Sequence, residues 1–136
     1  MGWPCTGPVP ICGAMSVSGA SERIRAAAEA WPDVNTAPHR FGGIEFRIGR
    51  RELGHLHGDH LLDVPFPREV KTELIAAGKA QPHHVLPDSG WISFRIMAPE
   101  DVESAIGLLR RSYDLIAAQR SRRAEQNRAV AALKDG

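Results

Sequence analysis

Ile44-Glu45-Phe46-Arg47-Ile48-Gly49-Arg50-Arg51-Glu52-Leu53-Gly54-His55-Leu56-His57-Gly58-Asp59-His60-Leu61-Leu62-Asp63-Val64-Pro65 is the stretch that decides the fold. Ile44 to Ile48 alternates apolar and polar side chains, the period of a strand with one buried face. Gly49-Arg50-Arg51 breaks the pattern as a turn, Glu52 to His57 returns as a second strand, and Gly58-Asp59 turns again. His60 to Val64 then makes a third strand that Pro65 and Pro67 stop. Three strands joined by tight turns form an antiparallel meander.

Outward from the meander the periodicity changes. Upstream, Ser18 or Ser21 is placed to cap a helix in which Ile24, Ala27, Ala28 and Trp31 share a face, ended by Pro32 and Asp33; the segment with Pro38 reads as loop. Downstream, Val70, Leu74 and Ile75 recur at helical spacing between Pro67 and Gly78. Ala80 to Ser89 is loop-like, with Pro82 and Pro87, although His84-Val85-Leu86 could form a brief edge or a turn of helix. Gly90 to Ile96 is a clear strand with Ile92, Phe94 and Ile96 on one side. After Pro99 a long helix carries Val102, Ile106, Leu109, Tyr113 and Ile116 as one apolar stripe. The expected fold is α+β, an antiparallel sheet of about four strands covered by helices in the order α-β-β-β-α-β-α. The expected organisation is a disordered extension over 1–17, one domain over 18–118 and a basic helical tail over 119–136.

The 136 residues suffice for a core without disulfides. Seventeen basic against sixteen acidic residues give a net charge of +1, so the overall balance demands neither nucleic acid nor an anionic membrane. No apolar run approaches the roughly 20 residues of a membrane span. Cys5 and Cys12 form no conventional metal or redox motif and read as free thiols, and the opening residues lack a secretory signal; Met15 is an alternative start. These features predict a soluble, cytoplasmic protein.

His55-Leu56-His57-Gly58-Asp59-His60 has the H-x-H-x-D-H spacing that opens the metal site of metallo-β-lactamase-like hydrolases. Those enzymes need a longer sandwich, more downstream ligands and a helix after the motif; here Leu61-Leu62-Asp63-Val64-Pro65 follows as strand. A different metal site remains open on these residues. His55 and His57 share a strand face, and a hairpin could bring in His60 with Asp59 or Asp63. The plainer reading, that they are polar residues on an exposed sheet face, is favoured over a metal. His83 and His84, beside Asp88, have the same two readings: a hydrogen-bonded loop, or an acid or base working near neutral pH. No G-x-S-x-G setting or Gly-rich phosphate loop is present.

The strings His39 to Phe46, Glu52 to Gly58, Asp63-Val64-Pro65-Phe66-Pro67, and Pro82-His83-His84-Val85-Leu86-Pro87-Asp88-Ser89-Gly90-Trp91 resemble the luciferase-domain family, little characterised in bacteria and fungi. The resemblance covers the block from His39 to Tyr113 and implies a small α+β domain; the family name suggests light-emitting oxidation, which would need a luciferin pocket, a His base and Trp91 as a stacking wall. More distantly, Phe46-Arg47-Ile48-Gly49-Arg50, His83-His84-Val85 and Arg111-Ser112-Tyr113 are similar to the MmcQ/YjbR proteins, which implies their compact fold. A fold does not need so many matching imidazoles, so His55, His57, His83, His84, Asp88 and Trp91 are the candidate ligand-binding pocket. His55, His57 and His60 are the candidate metal ligands.

From Arg110 onward seven basic residues meet three acidic ones. Arg120, Arg122, Arg123 and Arg128 are therefore the residues of an alternative reading, a non-catalytic module that meets protein or nucleic acid. The tail lacks aromatic stacking residues, so nucleic acid is not the expected partner. A small molecule at the His-rich surface is slightly preferred, and the sequence names no cofactor.

Overall fold

The computed structural model describes residues 17–39 and 42–135. The expectations for Cys5, Cys12, Met15 and the rest of 1–16 lie outside the described residues. Helix α1 (Ala20–Glu29) is followed by strands β1 (Val34–Pro38), β2 (Ile44–Ile48), β3 (Arg51–His57) and β4 (Leu61–Pro65). Helix α2 (Arg68–Ala76), strands β5 (Gln81–Pro82) and β6 (Trp91–Arg95), and helix α3 (Asp101–Asp135) complete the chain. One six-stranded sheet has the order β1-β2-β3-β4-β6-β5, with every neighbouring pair antiparallel.

The α+β class and the meander stand, but the sheet has six strands rather than about four. Both additions are edges. β1 lies outside β2, with Pro38 at its end, where a missing N–H costs no ladder bond. β5 is only two residues, again ending in proline, and it falls at Gln81–Pro82 rather than at His84-Val85-Leu86. Short, proline-bearing strands carry too little alternation to be read as strands.

The register divides the sheet into two faces. Paired positions Ile44 and Leu56, Leu62 and Phe94, and Val64 and Ile92 share the face packed on the helices. Phe46, Leu56, Leu62, Val64 and Ile92 are fully buried there against Ile24 of α1 and Val102 and Leu109 of α3. Gly54 brings α3 close: a methyl group added to it would lie 3.0 Å from the Leu109 side chain and 2.9 Å from the Asp63 carbonyl. Burying each large aliphatic group contributes about 2 kcal/mol.

Neither Ser18 nor Ser21 caps α1. Gly19 occupies the N-cap at φ 81°, and the Asp59 side chain, reaching from the β3–β4 turn, accepts the Ser21 N–H at 2.7 Å. Helix α3 has 35 residues and is roughly 50 Å long. It buries its stripe only as far as Ile116; residues 118–134 are exposed throughout. Among the described residues no helix is long and apolar enough to cross a membrane.

Candidate metal centre

The face of the sheet turned away from the helices carries the chemistry. His55 pairs with Asp63 across β3 and β4, and Asp63 pairs with Ser93 across β4 and β6, so the three side chains stand in a row. The segment from His83 to Gly90 folds back over that row. Lys71 of α2 holds it by donating to the carbonyls of Pro87 and Ser89 at 2.6 and 2.5 Å. Ser89 stiffens it further, donating its hydroxyl to the Leu86 carbonyl and accepting the Trp91 N–H.

Asp63 is the hub. Its side chain is fully buried, and Oδ1 accepts the Ser93 hydroxyl at 2.7 Å. Four imidazoles surround Oδ2: Nε2 of His57 at 3.0 Å, His84 at 3.1 Å, His55 at 3.2 Å and His83 at 3.3 Å. His39 stacks on His55 with ring centroids 4.1 Å apart, so five of the protein's six histidines gather here. Trp91 closes one side, 5.2 Å from the His55 ring and 6.0 Å from that of His83.

The second nitrogen of each ring fixes what the first can do. Glu52 accepts from His55 Nδ1 at 2.6 Å, so in its neutral form His55 presents a lone pair at Nε2. His83 is the reverse case: its Nδ1 accepts the N–H groups of Val85 and Leu86, so its proton sits on Nε2 and that atom is a donor. Burial pushes the His83 ring down from its ordinary value, which keeps it neutral. Burial also opposes charge on His55, but its contacts with Asp63 and Glu52 outweigh that and raise it to about 9. Asp63, despite burial, is held well below the usual carboxylate range by His55, Ser93 and His84. Burial and the neighbouring His55 lower His39.

Of the six pocket candidates the fold brings His55, His57, His83, His84 and Trp91 together, and His55, only 8% exposed, is not the exposed polar residue of the plainer reading. Asp88 is exposed on the loop, and neither it nor His60 belongs to any metal-capable group among the described residues. His60 sits in the β3–β4 turn, where its backbone carbonyl accepts the Ile96 N–H. The H-x-H-x-D-H string is thus divided: its first two histidines face Asp63, its aspartate caps α1 and its last histidine is exposed. Arg120, Arg122, Arg123 and Arg128 lie on the exposed length of α3.

Sequence reasoning underrated Asp63 and missed Glu52, Ser93 and His39. Asp63 had a signal, a lone carboxylate inside the apolar run Leu61 to Val64, and a hairpin centred on Asp59 sets it opposite His55. Glu52 had none. It reaches the His55 face because a bulge at the β2–β3 pairing matches Arg47 with Glu52 and Phe46 with Gly54, leaving Leu53 as the extra residue.

A family model described as the Luciferase domain matches residues 50–112. The match runs from β3 into the first third of α3 and contains Glu52, His55, His57, Asp63, His83, His84 and Trp91, so the luciferase-domain resemblance holds over the residues that build the centre. No curated protein and no solved structure matches the chain, and the likeness to the MmcQ/YjbR proteins gains no support from them.

Proposed function

We propose that the luciferase-domain stretch of this chain binds one divalent transition-metal ion through His55, His57 and His84 Nε2 and Asp63 Oδ2. The observation that carries the reading is the crowding of four imidazole nitrogens within 3.3 Å of one buried carboxylate oxygen. A carboxylate oxygen offers about two lone-pair sites, so hydrogen bonds cannot account for four ring nitrogens around it. A cation can. Metal–ligand bonds of about 2.0–2.2 Å set neighbouring donor atoms roughly 3 Å apart, the spacing found here between each ring nitrogen and the Asp63 oxygen.

His83 stands outside the ligand set because its Nε2 carries the proton. That argues for a single ion over two ions sharing Asp63, since a second would keep only His84 and the carboxylate. His83 and Glu52 act on the ligands: one aims an N–H at Asp63, the other holds the His55 Nδ1 proton and so orients its lone pair, as carboxylates behind metal-bound histidines do. His57 and His84 are 24% and 36% exposed, so solvent reaches the ion from their side. An imidazole-rich set with an open side suits zinc, iron, copper or nickel, and such an ion could polarise a substrate or lower the pKa of a bound water.

Calorimetric titration of Zn(II) and Ni(II) into untagged, chelator-treated protein tests the reading. One ion per chain is expected, with affinity at least tenfold weaker in His84→Ala, a loop substitution that leaves the core intact. Glu52→Gln should lose about 10- to 100-fold, and His60→Ala nothing. Heat no greater than buffer dilution, or unchanged affinity in His84→Ala, overturns it.

A further inference from the structure

Next to the metal centre, where β3 begins, a cleft of about 420 Å³ opens between the sheet, the Pro65–Pro67 segment and α3. Its size falls in the range of small-molecule sites, about 300–1,000 Å³. Phe66, Trp91, Leu115 and Ile116 make an apolar wall, while Arg51 and Glu52 place one positive and one negative group on the same cleft.

Those two charges are not spent on each other. Among the described residues Arg51 makes no ion pair, and its guanidinium donates only to the Gln119 side-chain oxygen at 3.1 Å. Glu52 is ion-paired through Oε2 with His55 at 2.6 Å, which leaves acceptor capacity on its other oxygen. Neighbouring charges of opposite sign, unpaired with each other beside an apolar wall, are complementary to a ligand that carries both charges close together on an apolar body. A ligand with only one would leave either the Arg51 charge or the second Glu52 oxygen without a partner as the cleft desolvates.

We infer that this cleft binds a zwitterionic α-amino acid with an apolar side chain. Arg51 takes the carboxylate, Glu52 takes the ammonium, and the side chain lies against Trp91, Phe66 and Leu115. Glu52 then joins the two sites, with one oxygen on His55 and the other on the ligand. The inference does not require an ion in the centre.

The test uses the full-length chain in excess chelator, so that a failed metal centre and a failed cleft are read separately. L-Phenylalanine, phenethylamine and 3-phenylpropionate are titrated and followed by saturation-transfer NMR and by Trp fluorescence. The expected result is saturable binding of L-phenylalanine, at least tenfold weaker binding of the two analogues that lack one charge, and the same loss in Arg51→Ala. Leu115→Trp, which fills the cleft, should abolish binding with an unchanged circular dichroism spectrum. Absence of L-phenylalanine binding at about 10 mM, equal binding of either analogue, or full binding by Arg51→Ala overturns the inference; since Arg51 is exposed, that variant folds whatever Leu115→Trp does.

Discussion

Asp63 shows how one residue can hold a domain together. It is fully buried and ionised, a state tolerable only because Ser93 and the imidazoles around it replace water. Asp63→Asn removes the negative charge that faces protonated His55 and should destabilise the chelated protein by about 3 kcal/mol in urea unfolding. Ser93→Ala, which deletes one neutral donor, should cost about 1 kcal/mol; equal losses in the two would show that charge is not what matters at Asp63. Acidity gives an independent check on the chelated protein. His55 is raised from 6.5 to about 9 on folding, so the stability it contributes is complete below pH 6.5 and is lost as pH rises through 9. Asp63 is lowered from 3.8, so its contribution is present above that value and is lost as pH falls toward its depressed one. The two are largely one shared interaction seen from both ends. Tm should therefore hold a plateau between about pH 4 and 6.5 and fall by several degrees by pH 9; a flat profile across the alkaline limb would contradict a charged His55.

At the scale of elements, Asp59 separates two readings of the same string. Taken as a metal ligand of an H-x-H-x-D-H motif, it would abolish metal binding when changed. Taken as the residue that caps α1 from the neighbouring turn, Asp59→Ala should cost about 1 kcal/mol of stability and leave metal affinity intact. Calorimetry and urea unfolding on the one variant decide between them. Strong alternation and long apolar stripes made β2, β6 and the packed half of α3 legible in the sequence. Clear turns also gave the β3–β4 hairpin, and with it the pairing of His55 with Asp63. β1 and β5 were hidden because edge strands of a few residues, ending in proline, show no period. Glu52 was hidden because a bulge changes which face a side chain takes, and bulges leave no mark in binary patterning. His83 was legible as a candidate, but its tautomer depends on backbone N–H groups that only the folded loop supplies.

Over the whole molecule, the centre joins three segments that the chain brings together only by folding: β3, β4 and the loop before β6. The last seventeen helical residues before Asp135 take no part, being exposed and beyond the core. A chain ending at Arg120 keeps the Arg51–Gln119 contact and every buried residue of α3. Its Tm should lie within a few degrees of the full chain, since exposed helix contributes little packing. An ion that binds only the folded arrangement must stabilise the whole domain. At a free concentration a hundredfold above Kd the gain is about 2.7 kcal/mol, or roughly 9 °C for a domain of this size. The same rise is expected in the full and the shortened chain, reversed by chelator and cut to about half or less in His84→Ala, as a tenfold or greater loss of affinity requires. If the shortened chain lost the shift while still folding, the exposed half of α3 would have to be contributing to the centre. Binding would then depend on a part of the molecule that buries nothing against it.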